Sequence, residues 1–316
     1  MPFGHGHAHG HAHDHGAADG RGADRLLVAA VLVNVGLTLA QLVGGAISGS
    51  LALVADALHN LSDAASLGVA LAARKIARRP ADRWRTYGYR RAEVIGALVN
   101  LTVLIVIGVY LVFEAVTRFF APEPVEGWTV VIVAGVALAI DATTAAIVYA
   151  QAKEGMNVRA VFLHNVADAL GSVAVIVAGT LIILYGWRLA DPIATLLIAA
   201  YVLYQGISSI RGAVHILMMG APADVDVEEL AAEAARVPGV LGVHHVHVWQ
   251  LDERHRAAEA HIIVDPTGPE PADEIKRRIR AMLRERYGID HSTLELEAPG
   301  EAERDAGHHT GVIVPH

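Results

Sequence analysis

Six apolar runs, each long enough to cross a bilayer, leave this chain few folds to choose from. A helix rises 1.5 Å per residue, so about 20 apolar residues cross a hydrocarbon layer of roughly 30 Å. Runs of that kind occupy 26–47, 51–73, 94–113, 129–150, 160–184 and about 192–210. The last is the shortest, and Pro192 suits its start because proline is tolerated in a first helical turn. Composition agrees: 53% of the 316 residues are hydrophobic and 18% charged, where a soluble domain carries about 25% charged residues.

The loops orient these spans. Lys and Arg close to the span ends collect on one side: Arg21, Arg25, Arg74, Lys75, Arg78, Arg79, Arg83, Arg85, Arg90, Arg91, Lys153, Arg159 and Arg211. The other side has Arg118 and Arg188. The positive-inside rule puts the first set in the cytoplasm, and with it both termini of a multi-pass inner (plasma) membrane protein. A net charge of −8 argues against a nucleic-acid partner. The absence of cysteine excludes disulfides, thiol catalysis and thiolate metal sites.

Residues 1–24 form a His- and Gly-rich segment with too few apolar side chains to build a core. With neither a basic n-region nor a cleavage pattern, it does not read as a signal peptide. Its histidines at 5, 7, 9, 11, 13 and 15 suit loose metal capture. Residues 25–216 make the six-helix domain, 217–298 a soluble cytoplasmic domain, and 299–316 a loose tail. Within the soluble part, 225–236 and 271–287 have helical patterning, while 243–250, 256–265 and 291–297 alternate as strands. The expected fold is an α-helical membrane protein: six transmembrane helices, then a small α+β domain of order αββαβ with its helices on one face of the sheet.

Ionisable side chains inside a span are costly unless paired, and mark function. The second span carries Asp56, His59 and Asp63, the fourth Asp141, and the fifth His164 and Asp168. His59 and Asp63 are four residues apart and share a helix face; His164 and Asp168 repeat that spacing. Their surroundings match at five of seven positions, LHNLSDA at 58–64 and LHNVADA at 163–169. A duplicated three-helix unit would form an inverted repeat with its substrate near the midplane. The second and fifth spans run in opposite directions, so two imidazoles and two carboxylates converge. That donor set suits Zn²⁺, Cd²⁺ or Co²⁺ and not the oxygen-only shells of Mg²⁺ or Ca²⁺. Asp56, Asp141 and Asn34 are candidates for outer partners of the ligands, or for ordinary interhelical hydrogen bonds.

At its two H-x-x-x-D motifs the sequence resembles the cation diffusion facilitator family. So do SGSLALVADALHNLSD (48–63), RTYGYRRAEVIGALVN (85–100), DPIATLLIAAYVLYQG (191–206) and VHHVHVWQL (243–251). The resemblance implies a homodimeric metal-ion/proton antiporter with His59, Asp63, His164 and Asp168 as transport ligands. Histidine at the first position resembles the zinc-preferring branch. It also implies a cytoplasmic domain that binds metal between subunits, with Zn²⁺ as a regulatory ligand as well as cargo. The matching positions are His244, His261 and Glu297, with Glu295 and His247 as further candidates. Some members hold another metal in the loop between the second and third spans. Here that loop offers Asp82 but no histidine, so the resemblance does not extend to that site.

Other classes fit less well. An intramembrane metalloprotease needs H-E-x-x-H, and a nucleotide-driven pump needs G-x-x-x-x-G-K-[ST]; neither occurs. A metal-sensing receptor that does not transport would share the cytoplasmic domain but has no use for four mid-membrane ligands.

Overall fold

The computed structural model describes residues 17–151, 156–299 and 311–313. The His tract at 5–15 lies outside them. Six long helices come first: α1 (Ala17–Ser48), α2 (Leu51–Ala77), α3 (Ala92–Phe120), α4 (Gly127–Gln151), α5 (Met156–Tyr185) and α6 (Ala190–Leu217). Then follow α7 (Val227–Ala234), β1 (Val240–Gln250), β2 (Arg256–Val264), α8 (Ala272–Tyr287) and β3 (Ile289–Glu297). The αββαβ order is the expected one.

Helices α3 to α6 are long and apolar enough to cross a membrane. Helix α2 falls outside that set because Asp56, His59, Asn60, Ser62 and Asp63 interrupt its apolar run. The described apolar part of α1 is Val33–Ser48. Helix α6, expected to be the shortest, has 28 residues against 25 in α4. It continues through Ser208, Ser209 and Arg211, where hydropathy falls but no proline stands.

The described residues fall into two compact units. The first lies within Met1–Ala64 and Leu111–Ile198. Its interior holds many small and polar side chains beside a few large ones such as Leu53, Leu111, Val130 and Val175: Ala52, Ala55 and Ala57 of α2, Ala134 and Ala137 of α4, and Ala178 of α5 are buried. Buried with them are Gln41, Asp56, His59, Asp141, Asp168 and Ser172. Many large apolar side chains face outward, as in the Val35, Leu39, Val43, Ile47 stripe on α1. Small residues let backbones approach and polar residues bond across helices, while lipid solvates the apolar outside. Gly49 turns the chain from α1 to α2 at φ +72°, where a side chain would also meet the Pro124 carbonyl.

The second unit lies within Ala65–Tyr110 and Ala199–His316. In its membrane part, Asn100 donates to Ser66 at 2.6 Å, tying α3 to α2. In its soluble part, β2 is the central strand, antiparallel to β1 and parallel to β3. Helix α8 makes the crossover and buries Ile275, Ile279, Leu283 and Tyr287, one residue per turn, against Val246, Val248, Ile262 and Leu294. Asp226 caps α7 by accepting from the Glu228 and Glu229 amides, and Gly288 ends α8 in the left-handed region. Part of the expected loose tail is docked: the Gly311 and Val312 carbonyls accept from the His245 and Val246 amides.

Candidate metal centre

His59, Asp63, His164 and Asp168 close into a ring of alternating imidazoles and carboxylates. His59 Nε2 lies 3.3 Å from Asp168 Oδ1 and 3.7 Å from Asp63 Oδ2. His164 Nε2 lies 3.4 Å from both Asp63 Oδ2 and Asp168 Oδ2. A tetrahedral Zn²⁺ with bonds of about 2.0–2.1 Å separates neighbouring ligand atoms by about 3.3–3.4 Å. The four edges are close to that span, although Asp168 turns Oδ1 to His59 and Oδ2 to His164. Among the described residues, His59, Asp63 and Asp168 each offer one ligand atom within 4.8 Å of the others, and His164 closes the ring beside them. Among the described residues, no hydrogen bond satisfies buried Asp63 Oδ2 or Asp168 Oδ1. Such oxygens are expensive in a low-dielectric interior and suit a cation.

The ring is not equally enclosed. His59 is 4% exposed and Asp168 10%, while Asp63 is 33% and His164 37% exposed. Its accessible edge is the one toward the C-terminal end of α2 and the N-terminal end of α5.

A second polar layer backs the ring. Gln41 on α1 donates to Asp56 Oδ2 at 2.6 Å and accepts from the Asn60 side chain at 3.0 Å, while the Ser172 hydroxyl lies 3.4 Å from Asp56 and 3.5 Å from Asp141. Asp56 and Asp141 thus stand where the sequence allowed outer partners. Asn34 does not: it is exposed, and its carbonyl accepts from Thr38. Gln41, Asn60 and Ser172 escaped the sequence reading because a neutral amide or hydroxyl in a span costs little and carries no charge signal. Asn60 had the best signal, being repeated as Asn165 in the duplicated motif.

Asp191 was also missed. It is 1% exposed, and it accepts from Ser50 Oγ at 2.5 Å and from the amides of Leu51 (2.8 Å) and Ala52 (3.3 Å). A carboxylate from α6 thereby caps the N-terminus of α2, the helix that carries His59 and Asp63. Arg118 stands 3.9 Å away and holds the Gly49 carbonyl at 2.6 Å.

In the soluble domain, His244 pairs with His261 across β1 and β2, and His261 with Glu295 across β2 and β3. His244 Nε2 is 3.0 Å from Glu297 Oε2, His261 Nδ1 bonds the other Glu297 oxygen, and His261 Nε2 is 3.6 Å from Glu295. Burial alone would raise the Glu297 carboxyl, but hydrogen bonds from His244 and His261 hold it below the ordinary range. His244 Nδ1 is buried without a hydrogen-bond partner among the described residues, so this cluster also fits a metal. His247 pairs with Glu259 in the strand register and packs edge-on against His245, whose ring stacks on His261 at 4.8 Å. Simple alternation would put His244 on the same face as Val246 and Val248, inside the core. A bulge between His244 and His247, with His245 at φ +51°, shifts the phase and turns His244 to the face of His261.

Among the described residues, Asp82 pairs with no histidine. It folds its own loop, accepting from the Trp84 and Arg85 amides and from the Tyr89 hydroxyl.

Comparison with known proteins gives two family matches. The cation efflux transmembrane domain matches residues 27–218, and the cation efflux protein cytoplasmic domain matches 222–299. The chain is 33% identical to the "Cadmium, cobalt and zinc/H(+)-K(+) antiporter" of Bacillus subtilis, covering 90% of this chain and 96% of the relative. It is 38% identical to "Zinc transporter ZitB" of Escherichia coli, covering 86% and 87%. It is 33% identical to "Metal cation efflux system protein CzcD" of Cupriavidus metallidurans, covering 91% of each. A solved structure of the metal-bound C-terminal domain of that organism's CzcD transporter is 27% identical over 23% of this chain and 99% of its own, with a TM-score of 0.22.

Proposed function

Because the chain belongs to the cation diffusion facilitator family, a family of multi-pass metal cation transporters and not of enzymes, we propose that it exports Zn²⁺ from the cytoplasm in exchange for protons. The ions pass through the ring of His59, Asp63, His164 and Asp168. The observation that carries this reading is the set of ring edges, 3.3 to 3.7 Å, that join two imidazoles and two carboxylates. Cd²⁺ and Co²⁺ accept the same donors, and the names of the Bacillus and Escherichia relatives are consistent with that range.

The helix geometry supports a mid-membrane position. His59 is the ninth residue of α2 and His164 the ninth of α5. The pair on α2 therefore lies about 15 Å from that helix's start, half of a hydrocarbon layer of roughly 30 Å. With both termini in the cytoplasm of the inner-membrane protein, the accessible edge of Asp63 and His164 faces inward. The soluble domain, 217–298, dimerises and binds regulatory zinc through His244, His261 and Glu297.

Protons compete with the ion for the same atoms. An imidazole titrates near pH 6.5 in its free state, and its proton must leave before metal can bind. Once the metal has gone, protons on the ring neutralise carboxylates that are costly to leave bare in lipid. The test uses proteoliposomes with equal zinc on both sides and an imposed pH difference. Zinc should move uphill toward the acidic side and reverse with the gradient. Zinc that stays at equilibrium under the pH difference yet runs down its own gradient makes the protein a facilitator.

A further inference from the structure

We propose that the cytoplasmic ends of α2 and α3, with β1, form a binding site for an anionic phospholipid of the surrounding membrane: one acyl chain enters an apolar cavity and the phosphate meets Arg85, Arg90 and Arg91. The cavity has a volume of about 860 Å³, within the range of small-molecule sites. Val69, Ala73 and Ile76 of α2, Ile95 and Gly96 of α3, and Trp249 of β1 contribute to its wall, with the three arginines beside them. Apolar wall and cationic groups together match a molecule with a hydrocarbon tail and an anionic head.

Position supplies the second reason. Val69 lies about half a turn before residue 71 and Ile76 about one and a half turns after it; residue 71 is about 15 Å along α2 from the His59–Asp63 pair, at the edge of the hydrocarbon. Leu67, Leu71, Ile95 and Val99 on the same stretches are exposed apolar side chains, so the cavity adjoins a surface that acyl chains already cover.

Charge supplies the third. Between Arg74 and Glu93 there are eight Lys and Arg side chains and two carboxylates. Asp82 is engaged by two amides and Tyr89, and Glu93 lies 4.0 Å from Arg74. Arg85 and Arg79 stack over Tyr89, at 4.8 and 5.9 Å, and Arg83 over Trp84 at 4.9 Å. Topology alone requires cationic charge in this loop; it does not require arginines ordered on aromatic rings beside an apolar cavity. Clusters of this size next to a span attract anionic lipid. The occupant would join α2, which carries two transport ligands, to β1, which carries His244.

The experiment uses the full chain with Trp84→Phe, Trp128→Phe and Trp187→Phe, leaving Trp249 as its sole tryptophan, in liposomes brominated on the acyl chains. Zinc flux in unbrominated liposomes establishes that the variant is folded. Trp249 is 8% exposed and sits on a strand of the soluble domain, so bulk lipid does not reach it. Brominated phosphatidylglycerol should quench its fluorescence several-fold more than brominated phosphatidylcholine at equal mole fraction. Adding Arg85→Gln, Arg90→Gln and Arg91→Gln should abolish that difference. Equal quenching by the two lipids removes the anionic headgroup from the proposal, and quenching by neither shows that no chain enters. Both leaflets carry bromine and the readout is not flux, so the outcome stands apart from the orientation and the antiport mechanism proposed above.

Discussion

His59 is nearer to Asp168, on a different helix, than to Asp63 one turn along its own: 3.3 Å against 3.7 Å. His164 likewise reaches Asp63 across the interface at 3.4 Å. Each motif completes the other, so neither helix holds a finished site.

Replacing His59, Asp63, His164 or Asp168 singly with Ala should therefore abolish zinc flux in protein that still inserts and folds. Loss of an outer partner costs a metal site about 10–100-fold in affinity, and loss of a ligand should cost more. Flux per reconstituted molecule measures this. Near-normal transport in any two of the four variants would contradict a shared site.

Gln41→Leu should weaken zinc without destroying the ring. It removes the donor to Asp56 and the acceptor for Asn60, and Asn60 adjoins His59 in the chain. The zinc concentration for half-maximal flux should rise about 10–100-fold, with maximal flux changed far less. An unaltered half-saturation point would reduce this network to helix packing.

Asp191→Ala should act on stability. It strands the Ser50 hydroxyl and two amides in a buried place, at a cost of about 2–3 kcal/mol for hydrogen bonds to a charged group. Thermal melting of the detergent-solubilised protein should fall by several degrees, with Asp191→Asn in between. A melting point equal to wild type would show that the amides find other partners.

The soluble domain from residue 217 on should sediment as a dimer that tightens with zinc, and His244→Ala should remove the zinc effect. Its own core of Val246, Ile262, Ile279 and Leu283 supports folding in isolation. A monomer indifferent to zinc would take His244, His261 and Glu297 out of the metal-binding set.

Deleting residues 1–20 should leave maximal flux intact and at most raise the zinc concentration for half-saturation. The segment has few apolar residues to bury. Complete loss of transport at normal expression would assign it a structural part.

Much of this protein was written in one dimension. Runs of about 20 apolar residues mark spans because a bilayer leaves the backbone no other way to satisfy its hydrogen bonds. The four ring residues stood out because charge is rare in such runs, and the spacing of four made each pair share a face. The order αββαβ followed from local periodicity. Other features depend on partners distant in the chain. Gln41 meets Asp56 across 15 residues, and Asp191 meets Ser50 across 141; in sequence one is an ordinary amide and the other an ordinary start to a helix. His244 depended on a bulge that reverses a strand's alternation, and alternation is all a strand shows in sequence. Charge, hydropathy and period are properties of residues and their near neighbours, so the sequence determined spans and candidate ligands. Ring edges, capping partners and strand phase are relations between segments, and only the packed structure decided them.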